Sequence, residues 1–176
     1  MALIRRRPPK RLVYVQISAD RILLRRVATG QTIDDIPRLA VDLAGQVIAV
    51  GRAADEAMQW RSDLRIVNGF SHPRCLIDDM GTATLTLTTF LNALLYPRGP
   101  RRFRRIRPDL VIHPAGLQDL SGLEAWGLHR IAEIAGARSV RVWIGEEPPY
   151  DSLLGGPPQG GSWRILPPPQ KRMRRG

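Results

Sequence analysis

The sequence predicts an α/β fold, a mixed sheet with flanking helices. Short β-branched and apolar runs separated by tight turns open the chain, as antiparallel strands require. Strand-length runs then alternate with longer helix-period segments, the signature of a βαβ unit. Finally, 176 residues at 43% apolar content suffice for one domain with a buried core.

The elements follow in order. Leu12–Ser18 (LVYVQIS) and Arg21–Val27 (RILLRRV) read as two strands of a hairpin closed at Ala19-Asp20. Thr29-Gly30 marks a further turn, and Leu39–Leu43 and Gln46–Val50 read as strands around Ala44-Gly45. Arg52–Trp60 is rich in helix formers. Leu64–Val67 is a brief strand ending in the turn dipeptide Asn68-Gly69.

Gly81–Tyr96 carries two patterns. Threonines at 82, 84, 86 and 88 alternate as in a strand, while Leu87, Leu91, Leu94 and Leu95 form a helical stripe. Length favours a helix, capped by Asp78 or Asp79. Asp109–His113 reads as a strand covered on both faces. Asp119–Ala135 is the strongest helix, with the capping-box pair Ser121 and Glu124 and a stop at Gly136. Ser139–Ile144 is the last expected strand. The expected organisation is a basic flexible tail over 1–11, one domain over 12–154 and a Pro/Gly-rich basic tail over 155–176.

Several function classes find no footing. No apolar run approaches the ~20 residues of a membrane span, and no apolar stretch of signal-peptide length follows the N-terminal bases. The single cysteine, Cys75, supports neither an internal disulfide nor a cysteine-rich zinc site, so a reducing cytoplasm is the expected setting. His72, His113 and His129 are dispersed, and no metal or cofactor is expected. GxSxG, GxGxxG and GxxxxGK[ST] signatures are lacking. Trp60, Trp126, Trp143 and Trp163 are expected to pack, with Trp163 also placed to reach a membrane interface.

Charge is the outlier, with 27 Lys and Arg against 16 Asp and Glu, a net +11. The excess is clustered at Arg5, Arg6, Arg7, Lys10 and Arg11, in the loop at 97–108 with Arg101, Arg102, Arg104 and Arg105, and near the end at Lys171, Arg172, Arg174 and Arg175. Such runs are usually solvated, but these are also the candidates for contact with an anionic membrane. Nucleic acid is a weaker prospect, because aromatic stacking platforms are not interleaved with the bases.

Four segments in order resemble the first half of an actin-like protein of the MreB rod shape-determining family. They are GQVIAVGRAADEAM, IVNGFSHPRCLIDDMGTATLTLTTFLNALL, RPDLVIHPAGLQDLSGLEAWGLHRIAEIAGARSV and VWIGEEP, and the resemblance covers roughly residues 12–156. The resemblance implies an actin-like (ribonuclease H-like) half-fold, truncated after its first domain, and a helix over Gly81–Tyr96. It also implies a phosphate loop in the opening hairpin, where the family carries Asp, Gly and Thr.

Here those positions are Gln16, Ser18 and Ala19. An amide brings no charge to a Mg²⁺ shell, and a side chain replaces the glycine that lets backbone approach phosphate. Glu147 is the possible relic of the carboxylate that positions water. The expectation is therefore a non-catalytic pseudo-ATPase that works in cell shape or envelope organisation, through a protein partner or self-association. A half-fold should also bare sheet and helix surface, which favours association. The alternatives are a peripheral binder of anionic membrane, at the cytoplasmic side of the inner membrane, and an actin-like ATPase.

Overall fold

The computed structural model describes residues 11–72, 75–97, 99, 106–154 and 160–164. Its elements are β1 (Leu12–Ile17), β2 (Ile22–Arg26), β3 (Thr32–Asp35), β4 (Leu39–Val41), β5 (Val47–Val50), α1 (Arg52–Trp60), β6 (Arg65–Val67), α2 (Met80–Leu95), β7 (Asp109–Pro114), α3 (Gly122–Ile134), β8 (Ser139–Gly145), a 3₁₀ turn (Tyr150–Leu154) and β9 (Gly161–Arg164).

The main sheet has the order β3-β2-β1-β7-β8-β9. β1 pairs antiparallel with β2 and parallel with β7, and β7 pairs parallel with β8. The sheet is therefore mixed, and both faces of β1 are buried, which is why Leu12–Ile17 has no polar face. Val13, Val15 and Ile17 pack beneath α2 and α3 with Leu87, Leu91, Leu128 and Ile131. Leu12 and Tyr14 point the other way, into a second cluster with Leu23, Val111, Trp143 and Leu153. β4, β5 and β6 form a separate small sheet with the order β5-β4-β6, covered by α1 through Ala54.

Local chemistry fixes the two helices of the main layer. The Thr-rich segment is helical because its hydroxyls turn back on the helix. Thr84, Thr86 and Thr89 donate to the carbonyls of Met80, Thr82 and Leu85 at 2.7–2.8 Å. That satisfies Thr86 although it is fully buried, and frees the leucine stripe to face the sheet. Asp79 is the cap, accepting from the Thr82 amide at 2.6 Å. On α3 the capping box closes in both directions between Ser121 and Glu124.

Glycine is required where α1 joins the main sheet. Gly51 has φ 68°, and a Cβ there would lie 2.1 Å from the Asp35 carboxylate. That carboxylate accepts the Arg52 and Ile36 amides at 2.9 and 2.8 Å, capping α1 from β3.

Four points depart from expectation. The polar Thr-Ile-Asp-Asp run carries no strand signal, yet it forms β3 at the sheet edge, where Asp34 pairs with Arg21. The low-complexity stretch from 155 onward does not read as tail throughout. Gly161–Arg164 form β9 on β8, with Trp163 opposite Trp143. In consequence the sheet face away from α2 and α3 is not bare, because Tyr150, Leu153 and Trp163 cover it. The exposed large apolar residues are mostly on helices, with Leu43 in a turn and Ile48 in β5, and Trp60 and Trp126 are among them at 85% and 55% exposure, rather than packed.

Candidate functional site

In an α/β sheet ligands gather at the carboxyl ends of the parallel strands. Here that edge comprises the ends of β1, β7 and β8, and it holds the residues expected at the phosphate loop. Gln16 lies in β1 directly opposite His113 of β7 and Leu23 of β2. Ser18 and Ala19 form the turn into β2, and Glu147 follows β8.

Each of these positions is already engaged. Gln16 is only 8% exposed, and its side-chain oxygen accepts from Arg21 Nη1 at 3.3 Å. Arg21 in turn grips Asp34 with two donors, at 2.9 and 2.7 Å. This pairing holds the Asp34 carboxyl below the usual carboxylate range. Ser18 Oγ donates to Asp20 at 2.6 Å and accepts from the Arg21 amide at 3.1 Å. The Ala19 carbonyl accepts from Asn68 Nδ2 at 2.8 Å, which ties the turn to the segment entering α2.

Glu147 is exposed and does not meet Gln16. Its Oε1 accepts from the Tyr150 hydroxyl at 2.8 Å. Burial, and then that contact, raise the tyrosine above its ordinary value. The Tyr150 ring lies edge-on to Tyr14 and under the guanidinium of Arg25, 4.4 Å from the ring centre.

Behind Gln16 the residues form a buried relay that sequence reasoning missed. The Tyr14 hydroxyl lies 2.5 Å from His113 Nδ1, and His113 Nε2 lies 2.9 Å from the Gly145 carbonyl. A carbonyl can only accept, so Nε2 carries the proton and Nδ1 accepts from the tyrosine. The ring is neutral, because burial lowers its pKa below the ordinary histidine value. Burial likewise pushes the Tyr14 phenol far above its ordinary range. This chain stitches β1, β7 and β8 together at the edge where chemistry would occur. The available signal was the alternation Leu12, Tyr14, Gln16, which puts the tyrosine on the same face as Gln16.

Beside it lies a cavity of about 510 Å³ between the β7–α3 loop and the adjoining ends of β8 and β9. Gly116, Gln118, Gly145, Glu146, Gly161 and Ser162 contribute to its wall. Its one charged lining residue among those described is the carboxylate of Glu146. Among the described lining residues a polyphosphate would meet a negative charge and no cation. Among the described residues no group of three or more His, Cys, Asp or Glu could hold a metal ion. Mg²⁺ with a nucleotide therefore does not fit the described site. Gln16 supplies no carboxylate, and the nearest cation, Arg21, is committed to Asp34.

Of the basic candidates, Arg11 is described and exposed, just before β1. Arg5, Arg6, Arg7, Lys10, Arg101, Arg102, Arg104, Arg105, Lys171, Arg172, Arg174 and Arg175 lie outside the described residues. No helix among the described residues is long and apolar enough to cross a membrane.

No family model and no curated protein matches the chain. Solved structures do. MreB5 of Spiroplasma citri bound to ADP superposes with a TM-score of 0.56 at 19% identity over 77% of this chain. The same protein bound to AMPPNP superposes with a TM-score of 0.57 at 19% identity, again over 77% of this chain. The chain spans 37% and 39% of the length of those two proteins. The likeness shows the fold, and the chain has an actin-like half-fold, as the four sequence segments implied.

Proposed function

We propose that this chain is a non-catalytic actin-like module that acts through protein–protein contacts. The observation that carries the proposal is the occupied phosphate-loop position, where Gln16 is hydrogen-bonded to an arginine already paired with Asp34. Recruiting Arg21 to a phosphate would break its two-donor ion pair with Asp34, and Gln16 would give no metal carboxylate in return. What remains useful is the surface of a rigid, well-packed scaffold. The process is bacterial cell shape or envelope organisation, an assignment supported by the structural likeness to MreB5.

Sedimentation velocity over a wide concentration range, with and without Mg-ATP, tests this. Association with itself, unaffected by nucleotide, is the expected outcome. A chain that stays monomeric throughout, or associates only with Mg-ATP, refutes it. The clustered bases favour one addition, contact with an anionic membrane, which must weaken steeply as salt rises.

A further inference from the structure

Between the segment entering α2 and the first turns of α3 lies a groove of about 450 Å³. Ile77 and Met80 form one wall and Leu123 and Trp126 the other, so the walls are largely apolar. Leu123 and Trp126 are both exposed, and such neighbours exceed the single scattered apolar residues of an ordinary surface. The walls stand close because position 127 is glycine, where a Cβ would lie 2.8 Å from Ile77 Cδ1.

The rim of the groove is acidic. Asp78 and Glu124 line it, and Asp79 adjoins Asp78. Hydrogen bonds from Thr82 and Ser121 hold Asp79 and Glu124, respectively, below the usual carboxylate range, so both are charged at neutral pH. Among the described residues none of the three carboxylates is paired with a cation. The complement of such a groove is a segment that carries both bases and apolar side chains.

The chain contains that segment and delivers it to this side of α3. Arg164, the last residue of β9, reaches Asp119 at 2.5 Å, and Asp119 stands two residues before Ser121, which also lines the groove. The twelve residues that follow, ILPPPQKRMRRG, hold four bases and no acid, with Ile165, Leu166 and Met173 as apolar side chains. At ~3.3 Å per residue they reach up to roughly 40 Å, about twice the length of α3. Three successive prolines limit the backbone freedom that docking would cost. Tethering sets an effective concentration on the order of millimolar, so a small contact suffices.

We propose that this groove is the docking site of the chain's own C-terminal segment, residues 165–176, with apolar side chains seated between Met80 and Trp126 and bases on Asp78, Asp79 and Glu124. The contact holds those bases against the chain's own surface, and an anionic membrane must compete for them. It is independent of the contact-based reading, because one chain supplies both sides.

Cys75 lines the same groove and reports its occupant. Full-length Leu166→Cys and Met173→Cys chains, with Cys75 retained, are oxidised separately in dilute solution and read by non-reducing gel and intact mass. A rapid intramolecular disulfide to Cys75 is expected in at least one of them. Adding Lys171→Glu, Arg172→Glu, Arg174→Glu and Arg175→Glu together is expected to slow that reaction at least tenfold. Leu123→Glu/Trp126→Glu, at exposed positions, is expected to slow it as much with an unchanged unfolding midpoint. The charge-reversed segment leaves the groove intact, so its result decides even where the groove variant is destabilised. A rate that charge reversal leaves unchanged overturns the proposal, and so does the lack of a disulfide from both positions. A covalent dimer through Cys75 also overturns it, since the groove then takes the segment of a second copy.

Discussion

Removing the Tyr14 hydroxyl probes whether the carboxyl edge of the sheet is a structural network. Tyr14 and His113 are both almost fully buried, with the hydroxyl 2.5 Å from Nδ1. Tyr14→Phe keeps the ring and its edge-on contact with Tyr150 but leaves Nδ1 with no donor. An unsatisfied buried acceptor costs about 1–3 kcal/mol. In a domain of this size that lowers the unfolding midpoint by about 2–12 °C. His113→Leu removes the acceptor as well, so the double variant Tyr14→Phe/His113→Leu should cost less than the sum of the two single ones. Urea unfolding of all four proteins near pH 8 measures the cycle. A Tyr14→Phe loss below about 0.5 kcal/mol, or strict additivity, would refute the relay.

Three further outcomes follow from the same geometry. Gly51→Ala should cost about 2–4 kcal/mol in urea unfolding, from a left-handed backbone and a displaced Asp35 cap. Asp35→Ala should cost only about 0.5–2 kcal/mol, and a larger loss than Gly51→Ala would contradict this account of the junction. Stability should also fall with acid in two stages. His113 has its folded pKa below 6.5, so its contribution is present above that value and is lost as pH falls through the lowered pKa. Asp109, depressed by its ion pair with Arg138, contributes above 3.8 and loses that contribution as pH falls through its folded pKa. His113→Gln should flatten the first stage alone in unfolding midpoints taken between pH 8 and pH 3. Trp163→Ala removes an edge-on contact 5.1 Å from Trp143 and a ring 4.7 Å from the Arg141 guanidinium. It should lower stability by about 1–3 kcal/mol, and an unchanged urea midpoint would show that β9 is not part of the cooperative unit.

Much of this architecture is legible in the residues. Apolar runs located β1, β2, β7 and β8 because the buried stretches of these strands are apolar. Ser121 and Glu124 announced α3, since a capping box is a local motif whose chemistry does not depend on distant partners. β3 and β9 escaped for the opposite reason. Asp34 is tolerated in a strand because Arg21, from the neighbouring strand, pairs with it. Trp163 is ordered by Trp143 and Arg141, about twenty residues upstream. Likewise the amide of Gln16, where the family resemblance implies a carboxylate, was readable in the sequence. The Tyr14–His113–Gly145 relay was not, because it joins three strands whose register only the sheet defines. Trp126 looked like core by composition, yet α3 turns it outward, since Leu128 and Ile131 already fill the face toward the sheet.

The most direct measurement is thermal unfolding of the full chain with and without millimolar Mg-ATP. A ligand present at about 100 times its dissociation constant adds about 2.7 kcal/mol of stability, which would raise the midpoint by several degrees. An occupied loop with an amide at Gln16 predicts a cooperative transition whose midpoint does not move. A clear upward shift that disappears when Mg²⁺ is withheld would contradict the non-catalytic account.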